Sequence, residues 1–122
     1  MIGFVSPEFR PFIHLTVRGP HGAAREIEAW VDTGFDGALV LPQNVIDELG
    51  LTPALTTTLQ LADGSEVEFG TYEGHVVWGG IEHRVQVMTT QGFVLVGLTL
   101  MREHQLNVTF TDGGTVTIEP LS

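Results

Sequence analysis

Apolar and polar positions alternate with a period of two over most of the chain. Ile13, Leu15 and Val17 fall on one face against His14, Thr16 and Arg18 on the other, the pattern of a half-buried strand. Gly19-Pro20-His21-Gly22 interrupts it as a turn. A second strand sets Ile27, Ala29 and Val31 against Glu26, Glu28 and Trp30 and runs directly into Asp32. After Gly34-Phe35-Asp36-Gly37 comes the apolar run Ala38-Leu39-Val40-Leu41. Pro42 then opens a predicted helix that continues to Leu49 and closes at Gly50, with Val45, Ile46 and Leu49 as its buried stripe.

Leu59 and Leu61 before Asp63-Gly64, with Val67 and Phe69 after it, predict a hairpin. A two-residue loop would set Leu61 opposite Glu66. A three-residue loop, Ala62-Asp63-Gly64 with Gly64 left-handed, pairs Leu59 with Val67 and Leu61 with Ser65, and gives the hairpin one coherent apolar face. The second register is therefore expected. Tyr72 to Trp78, the Gly79-Gly80 turn and Ile81 to Met88 form a further strand pair, with Val85 and Val87 alternating against Arg84 and Gln86. Phe93 to Val96 reads as a fully buried strand and Leu98 to His104 as a short helix. Leu106, Val108 and Phe110 alternate up to the turn at Asp112-Gly113-Gly114, before Val116 and Ile118. The pattern predicts an all-β chain with two short helices, and no linker or charge block divides residues 1–122, so one domain is expected.

Composition narrows the function. The apolar residues, 43% of the chain, come in short runs, far below the ~20 that a membrane helix needs. Met1 to Pro7 lacks the basic start and apolar stretch of a secretory signal, so the expected compartment is the cytoplasm. The absence of cysteine excludes disulfides, thiol catalysis and cysteine-ligated zinc or iron–sulfur sites. A formal net charge of −10 repels phosphate backbones and anionic membrane surfaces, so neither nucleic acid nor membrane is an expected partner. The five histidines show no His-x-His or His-Glu-x-x-His spacing, so no metal site is expected and they read as surface residues. No Gly-x-Ser-x-Gly elbow is present.

Peptide hydrolysis without metal or covalent intermediate needs one carboxylate to take a proton from water and one carboxylic acid to protonate the carbonyl oxygen. Two carboxyl groups about 3 Å apart meet that need, because their repulsion leaves one shared proton. Asp32-Thr33-Gly34 supplies one carboxylate at a strand end, a hydroxyl at Thr33, and a glycine that lets backbone approach closely. Taken alone, the tripeptide is equally an Asx turn.

Its surroundings give it meaning. Trp30-Val31-Asp32-Thr33-Gly34, then a hairpin around Ala62-Asp63-Gly64-Ser65, then Leu95-Val96-Gly97 before a short helix, resembles the retropepsin-like (clan AA) aspartic proteases. The Phe35 and Leu41-Pro42 run is similar to their small bacterial and archaeal members. The resemblance implies a closed β-barrel-like fold with one lobe per chain, and a homodimeric aspartic endopeptidase without cofactor or metal that acts on peptides. Asp32 is the catalytic residue it implies, supported by Thr33 and Gly34. Phe35, Asp36, Gly37 and the flap residues Ala62, Asp63, Gly64 and Ser65 would bind substrate, while Leu95, Val96 and Gly97 would lie behind the active loop. Two departures stand out. Phe35 replaces a small residue, so it either narrows the cleft floor or points into the core. Leu98 replaces an arginine that would partner Asp36, with Arg102 as a substitute one turn later. These departures support an alternative, an inactive dimer that binds peptides or acts in assembly. For the dimer contact, residues 1–5 and 116–121 are both candidates.

Overall fold

The strict alternation of Ile13, Leu15 and Val17 against polar neighbours is what the folded chain uses to close a barrel. The computed structural model describes residues 1–89 and 92–121, and for Thr57, Leu59 and Phe69 the backbone alone. In chain order its elements are β1 (Ile2–Val5), β2 (Pro11–Arg18), β3 (Ala24–Val31), β4 (Leu39–Leu41), α1 (Gln43–Leu49), β5 (Thr52–Gln60), β6 (Glu66–Trp78), β7 (Ile81–Thr89), β8 (Leu95–Val96), α2 (Leu98–Met101), β9 (His104–Val108) and β10 (Thr115–Pro120).

Strands β6, β7, β4, β8, β3 and β2 follow one another, and β2 pairs back onto β6 to complete a ring. The closing seam joins Thr16 to Val77, Val17 to Val76 and Arg18 to His75. Val17 and Val76, opposite each other at that seam, are both fully buried, so closure removes apolar surface and a sheet edge together. Ile13, Leu15, Ala29, Leu39, Val87 and Val96 fill the interior. Helix α1 plugs the barrel with Val45, Ile46 and Leu49, and Gly50 ends it in the left-handed conformation at φ 64°.

Three expectations need correction. The second helix spans Leu98–Met101 rather than reaching His104: Glu103 turns left-handed at φ 60°, and β9 begins at the next residue. The strand expected over Phe93–Val96 is confined to Leu95–Val96. It is wedged between β3 and β4, which flank it over two residues only, and Phe93 remains 51% exposed. Phe110 lies past the end of β9 and is largely exposed rather than core. Within the chain, β1 pairs with both β2 and β10, and β10 pairs with both β1 and β9. Gly3 permits that packing, since a Cβ there would collide with the Phe12 carbonyl.

Leu39 is fully buried in β4, with Val87 and Val96 as its cross-strand partners. Leu39→Ala is expected to destabilise the fold by about 2–5 kcal/mol. Urea denaturation checks this through a lowered midpoint with unchanged slope; a loss below about 0.5 kcal/mol would contradict this placement.

Candidate active site

Asp32 sits where β3 leaves the barrel, and its backbone is held by the strand beside it. Trp30 N–H donates to the Val94 carbonyl at 2.9 Å and Asp32 N–H to the Val96 carbonyl at 3.0 Å, continuing the parallel pairing of β3 with β8. The loop then turns tightly. Phe35 N–H donates to the Asp32 carbonyl at 3.2 Å, and Gly34 N–H donates to Asp32 Oδ1 at 2.9 Å, an Asx turn that fixes the carboxylate. Asp32 is half-buried, whereas Thr33 and Gly34 are exposed.

The loop is fastened from behind by the segment following β8. Leu98 N–H donates to the Phe35 carbonyl at 2.8 Å, Thr99 N–H to that of Gly37 at 3.2 Å and Gly97 N–H to that of Ala38 at 3.0 Å. Thr99 Oγ1 donates to the remaining carbonyl, Asp36, at 2.7 Å. Four consecutive loop carbonyls are thus satisfied by Gly97, Leu98 and Thr99, whose amides begin α2 and have no acceptor inside it. Gly97 is required there: a Cβ would strike the Gly37 carbonyl and lie 2.5 Å from Phe35 Cδ2.

Phe35 is half-buried. Its ring is turned onto Gly37 and Gly97, where a Cβ on Gly37 would come within 2.6 Å of Cζ. Asp36 is exposed, and among the described residues no ion pair links it to Arg102. Thr99, which the sequence reading passed over, supports the Asp36 backbone instead. A Thr two residues beyond Gly97, at the start of a helix, was the available signal.

The hairpin has the three-residue register. Leu59 pairs with Val67, Leu61 N–H donates to the Ser65 carbonyl at 2.7 Å and Gly64, at φ 86°, donates to the Leu61 carbonyl at 3.0 Å. Among the described residues Thr56–Gln60 and Glu66–Gly70 pair only with each other, because β7 joins β6 from Thr71 onward. The hairpin therefore projects from the barrel. At its base Thr71, 2% exposed, donates its hydroxyl to the Leu55 carbonyl at 2.6 Å and accepts the Leu55 N–H at 3.1 Å, bridging a bulge in β5 between Pro53 and Thr56. Of the expected apolar face, Leu61 is 44% exposed and Val67 half-buried; the Leu59 side chain lies outside the described residues. At the tip Asp63 Oδ1 accepts the Ser65 hydroxyl at 2.6 Å and amide at 2.9 Å, and these bonds hold its carboxyl below the usual aspartate range.

An aromatic row that the sequence did not reveal starts beside Asp32. Trp30, two residues earlier on the same strand face, lies 6.5 Å from Phe12 and 6.3 Å from Phe93 between ring centres, and Phe12 stacks on Phe4 at 5.7 Å. The Arg10 guanidinium sits 4.5 Å above the Trp30 ring. Trp78, by contrast, is core, at 3% exposure. Two cavities, of about 400 and 340 Å³, have neither Asp32 nor residues 33–37 among their lining residues. Among the described residues no three of His, Asp and Glu converge to hold a metal.

The fold that carries this strand-end carboxylate is shared with solved structures. An EIAV protease in complex with the inhibitor HBY-793 superimposes with a TM-score of 0.58 at 16% identity, over 79% of this chain and 88% of that one. The chain has the retropepsin-like fold. A retropepsin-like aspartic protease from Rickettsia conorii gives a TM-score of 0.55 at 19% identity, over 95% of this chain and 87% of that one. No protein-family model and no curated protein sequence matches. The closed, largely β architecture with two short helices is that of the retropepsin-like fold.

Gly97→Ala is expected to lower stability by about 1–3 kcal/mol. Phe35→Ala in the same chain should not restore it, because the Gly37 and Phe35 carbonyls still block the Cβ; full rescue in thermal unfolding would place the close approach on the ring alone. At the hairpin tip, an NMR titration should find the Asp63 midpoint below the ordinary aspartate value, moving up in Ser65→Ala. Because the folded value is the lower one, this carboxylate supports the tip above its unfolded pKa, and that support is lost as pH falls through the folded value. An unshifted midpoint would contradict the Asp63–Ser65 bonds.

Proposed function

We propose that the protein is a homodimeric aspartic endopeptidase in which Asp32 from each of two chains forms the catalytic pair. The observation that carries this reading is the Asp32 carboxylate itself, half-buried at a strand end and fixed by Gly34 N–H and by two backbone-anchored segments. The chain holds a single Asp-Thr-Gly, so the second carboxyl has to come from a second copy across a two-fold axis. Thr33 and Gly34, both exposed, are the residues nearest such an axis. Leu98, 37% exposed just beyond Gly97, extends the apolar part of the contact.

In this reading one carboxylate of the pair takes a proton from water while the other, protonated, donates to the scissile carbonyl oxygen. Water oxygen bonds to the carbonyl carbon, giving a tetrahedral diol. Its collapse breaks the C–N bond as a carboxyl returns a proton to the leaving nitrogen. The Ala62–Ser65 hairpin acts as a flap over the extended peptide, excluding water. Its projection beyond β7 and the bulge at its base support that role. Phe35, Asp36 and Gly37 line the floor with backbone, and Trp30 with Phe93 presents an apolar wall to substrate side chains.

Peptide-library cleavage by the purified protein beside Asp32→Asn tests the proposal. Cleavage is expected to vanish in the variant while circular dichroism stays unchanged. Mixing the two at equal concentration, with exchange, should cut wild-type activity to roughly half, as random pairing across a two-fold interface requires. Equal cleavage by both proteins would sink the assignment, and undiminished activity in the mixture would sink the shared pair.

A further inference from the structure

Strands β1 and β2 pair as far as Val5 opposite Pro11, and the chain reverses between them through Pro7, Glu8 and Phe9. Ser6 N–H donates to the Arg10 carbonyl and Phe9 N–H to the Ser6 carbonyl, both at 2.9 Å. The hairpin around Ala62-Asp63-Gly64 has the same pair of bonds, from Leu61 N–H to the Ser65 carbonyl and from Gly64 N–H to the Leu61 carbonyl. In a three-residue loop of this kind the third position is left-handed, which favours glycine. Gly64 fills it at φ 86°; in the β1–β2 turn it is filled by Phe9, at φ 64°.

Ser6 holds the turn in that shape. It is 8% exposed, and its hydroxyl accepts the Arg10 N–H at 3.2 Å. Phe9 gains little from the chain in return. It is 57% exposed and belongs neither to the hydrophobic core nor to the residues packed against it. Among the described residues no aromatic ring and no cation lies against its ring. A bulky side chain in the left-handed region costs backbone energy, and inside one chain nothing visible offsets it.

The turn lies at the Asp32 end of the barrel. Strand β2 starts at Pro11 and β3 stops at Val31, and the two run antiparallel with Phe12 opposite Trp30. The residues just before β2 and just after β3 therefore leave the sheet side by side. Arg10, next to Phe9, sets its guanidinium 4.5 Å from the centre of the Trp30 ring, on the strand that carries Asp32. Leu98, 37% exposed, belongs to this end too, because its N–H donates to the Phe35 carbonyl of the Asp32 loop.

We infer that Phe9 is an anchor of the two-fold interface, packed on the Asp32 end of a second copy of this chain. The inference rests on the proposed pairing of two Asp32 loops, which already brings a second copy to this end. Closed two-fold contacts use the same patch on both chains, so each dimer buries two Phe9 side chains. An aromatic held on a hydrogen-bonded turn loses little freedom on burial and suits such an anchor. A partner surface present in every dimer can offset a fixed backbone strain, whereas a passing peptide cannot.

Sedimentation velocity over a dilution series, with Phe9→Gly, Phe9→Asn and Phe9→Tyr beside wild type, tests this. Phe9→Gly is expected to raise the dimer dissociation constant roughly ten-fold or more. Its thermal midpoint, measured at a dilution where both proteins are monomeric, should not fall, because glycine relieves the left-handed position. Phe9→Asn, also tolerated there, should behave alike, and Phe9→Tyr, which keeps the ring, should dimerise as wild type does. An unchanged dissociation constant in Phe9→Gly and Phe9→Asn would overturn the inference. A lowered monomer midpoint in both would do the same, by making Phe9 a fold residue, as would a raised KM for peptides with dimerisation unchanged, by making the occupant substrate. Dimerisation that depends on Phe9 without any peptide cleavage would uphold the inference and sink the protease reading alone.

Discussion

Four consecutive carbonyls, from Phe35 to Ala38, depend on donors from just three residues, Gly97 to Thr99. Loop carbonyls beside a packed barrel need partners, since leaving such groups unpaired away from water costs about 1–3 kcal/mol each. Here three are met by amides that open a one-turn helix and would otherwise lack acceptors themselves, and the fourth, that of Asp36, by the Thr99 hydroxyl. Two segments about sixty residues apart thus complete each other. Everything chemically interesting about Asp32 follows from that junction, because it holds the loop that aims the carboxylate.

The junction is possible because the barrel brings its halves together first. β8 contributes two residues, yet it lies between β3 and β4 and pairs with both. Its position is set by burial rather than by ladder length: Val96 is fully buried, as is Leu39 opposite it. Closure of β2 onto β6 through Val17 and Val76 removes the remaining edge of the ring. The rigidity of the Asp32 loop is therefore borrowed from the core. The hairpin, whose outer half pairs only with itself among the described residues, borrows little from it and belongs to the low-stability end of the molecule.

Alternation along β2 and β3, the α1 stripe closed by Gly50, and the hairpin register around Ala62-Asp63-Gly64 were all legible in the sequence. The reason is common to them: each is set by interactions a few residues apart, where periodicity and turn stereochemistry act directly. The Asp-Thr-Gly turn was legible for the same reason, since Gly34 caps Asp32 from two residues away. Phe93 and Phe110 were misplaced because an apolar residue at the end of a run looks the same whether the strand continues or stops. Their exposure depends on where β8 and β9 lose their neighbours, which is a property of the sheet.

What the chain alone determined is thus its strands, its turns and the carboxylate at the end of β3, all fixed by local sterics and burial periodicity. The tertiary structure decided which distant segments meet: that Thr99 rather than Arg102 supports Asp36, that Phe35 folds onto Gly97, and that Phe4, Phe12, Trp30 and Phe93 align across four segments. Each of these is a contact between residues far apart in sequence, chosen by barrel closure, and hydrophobic patterning carries no record of which partner a closed sheet will deliver.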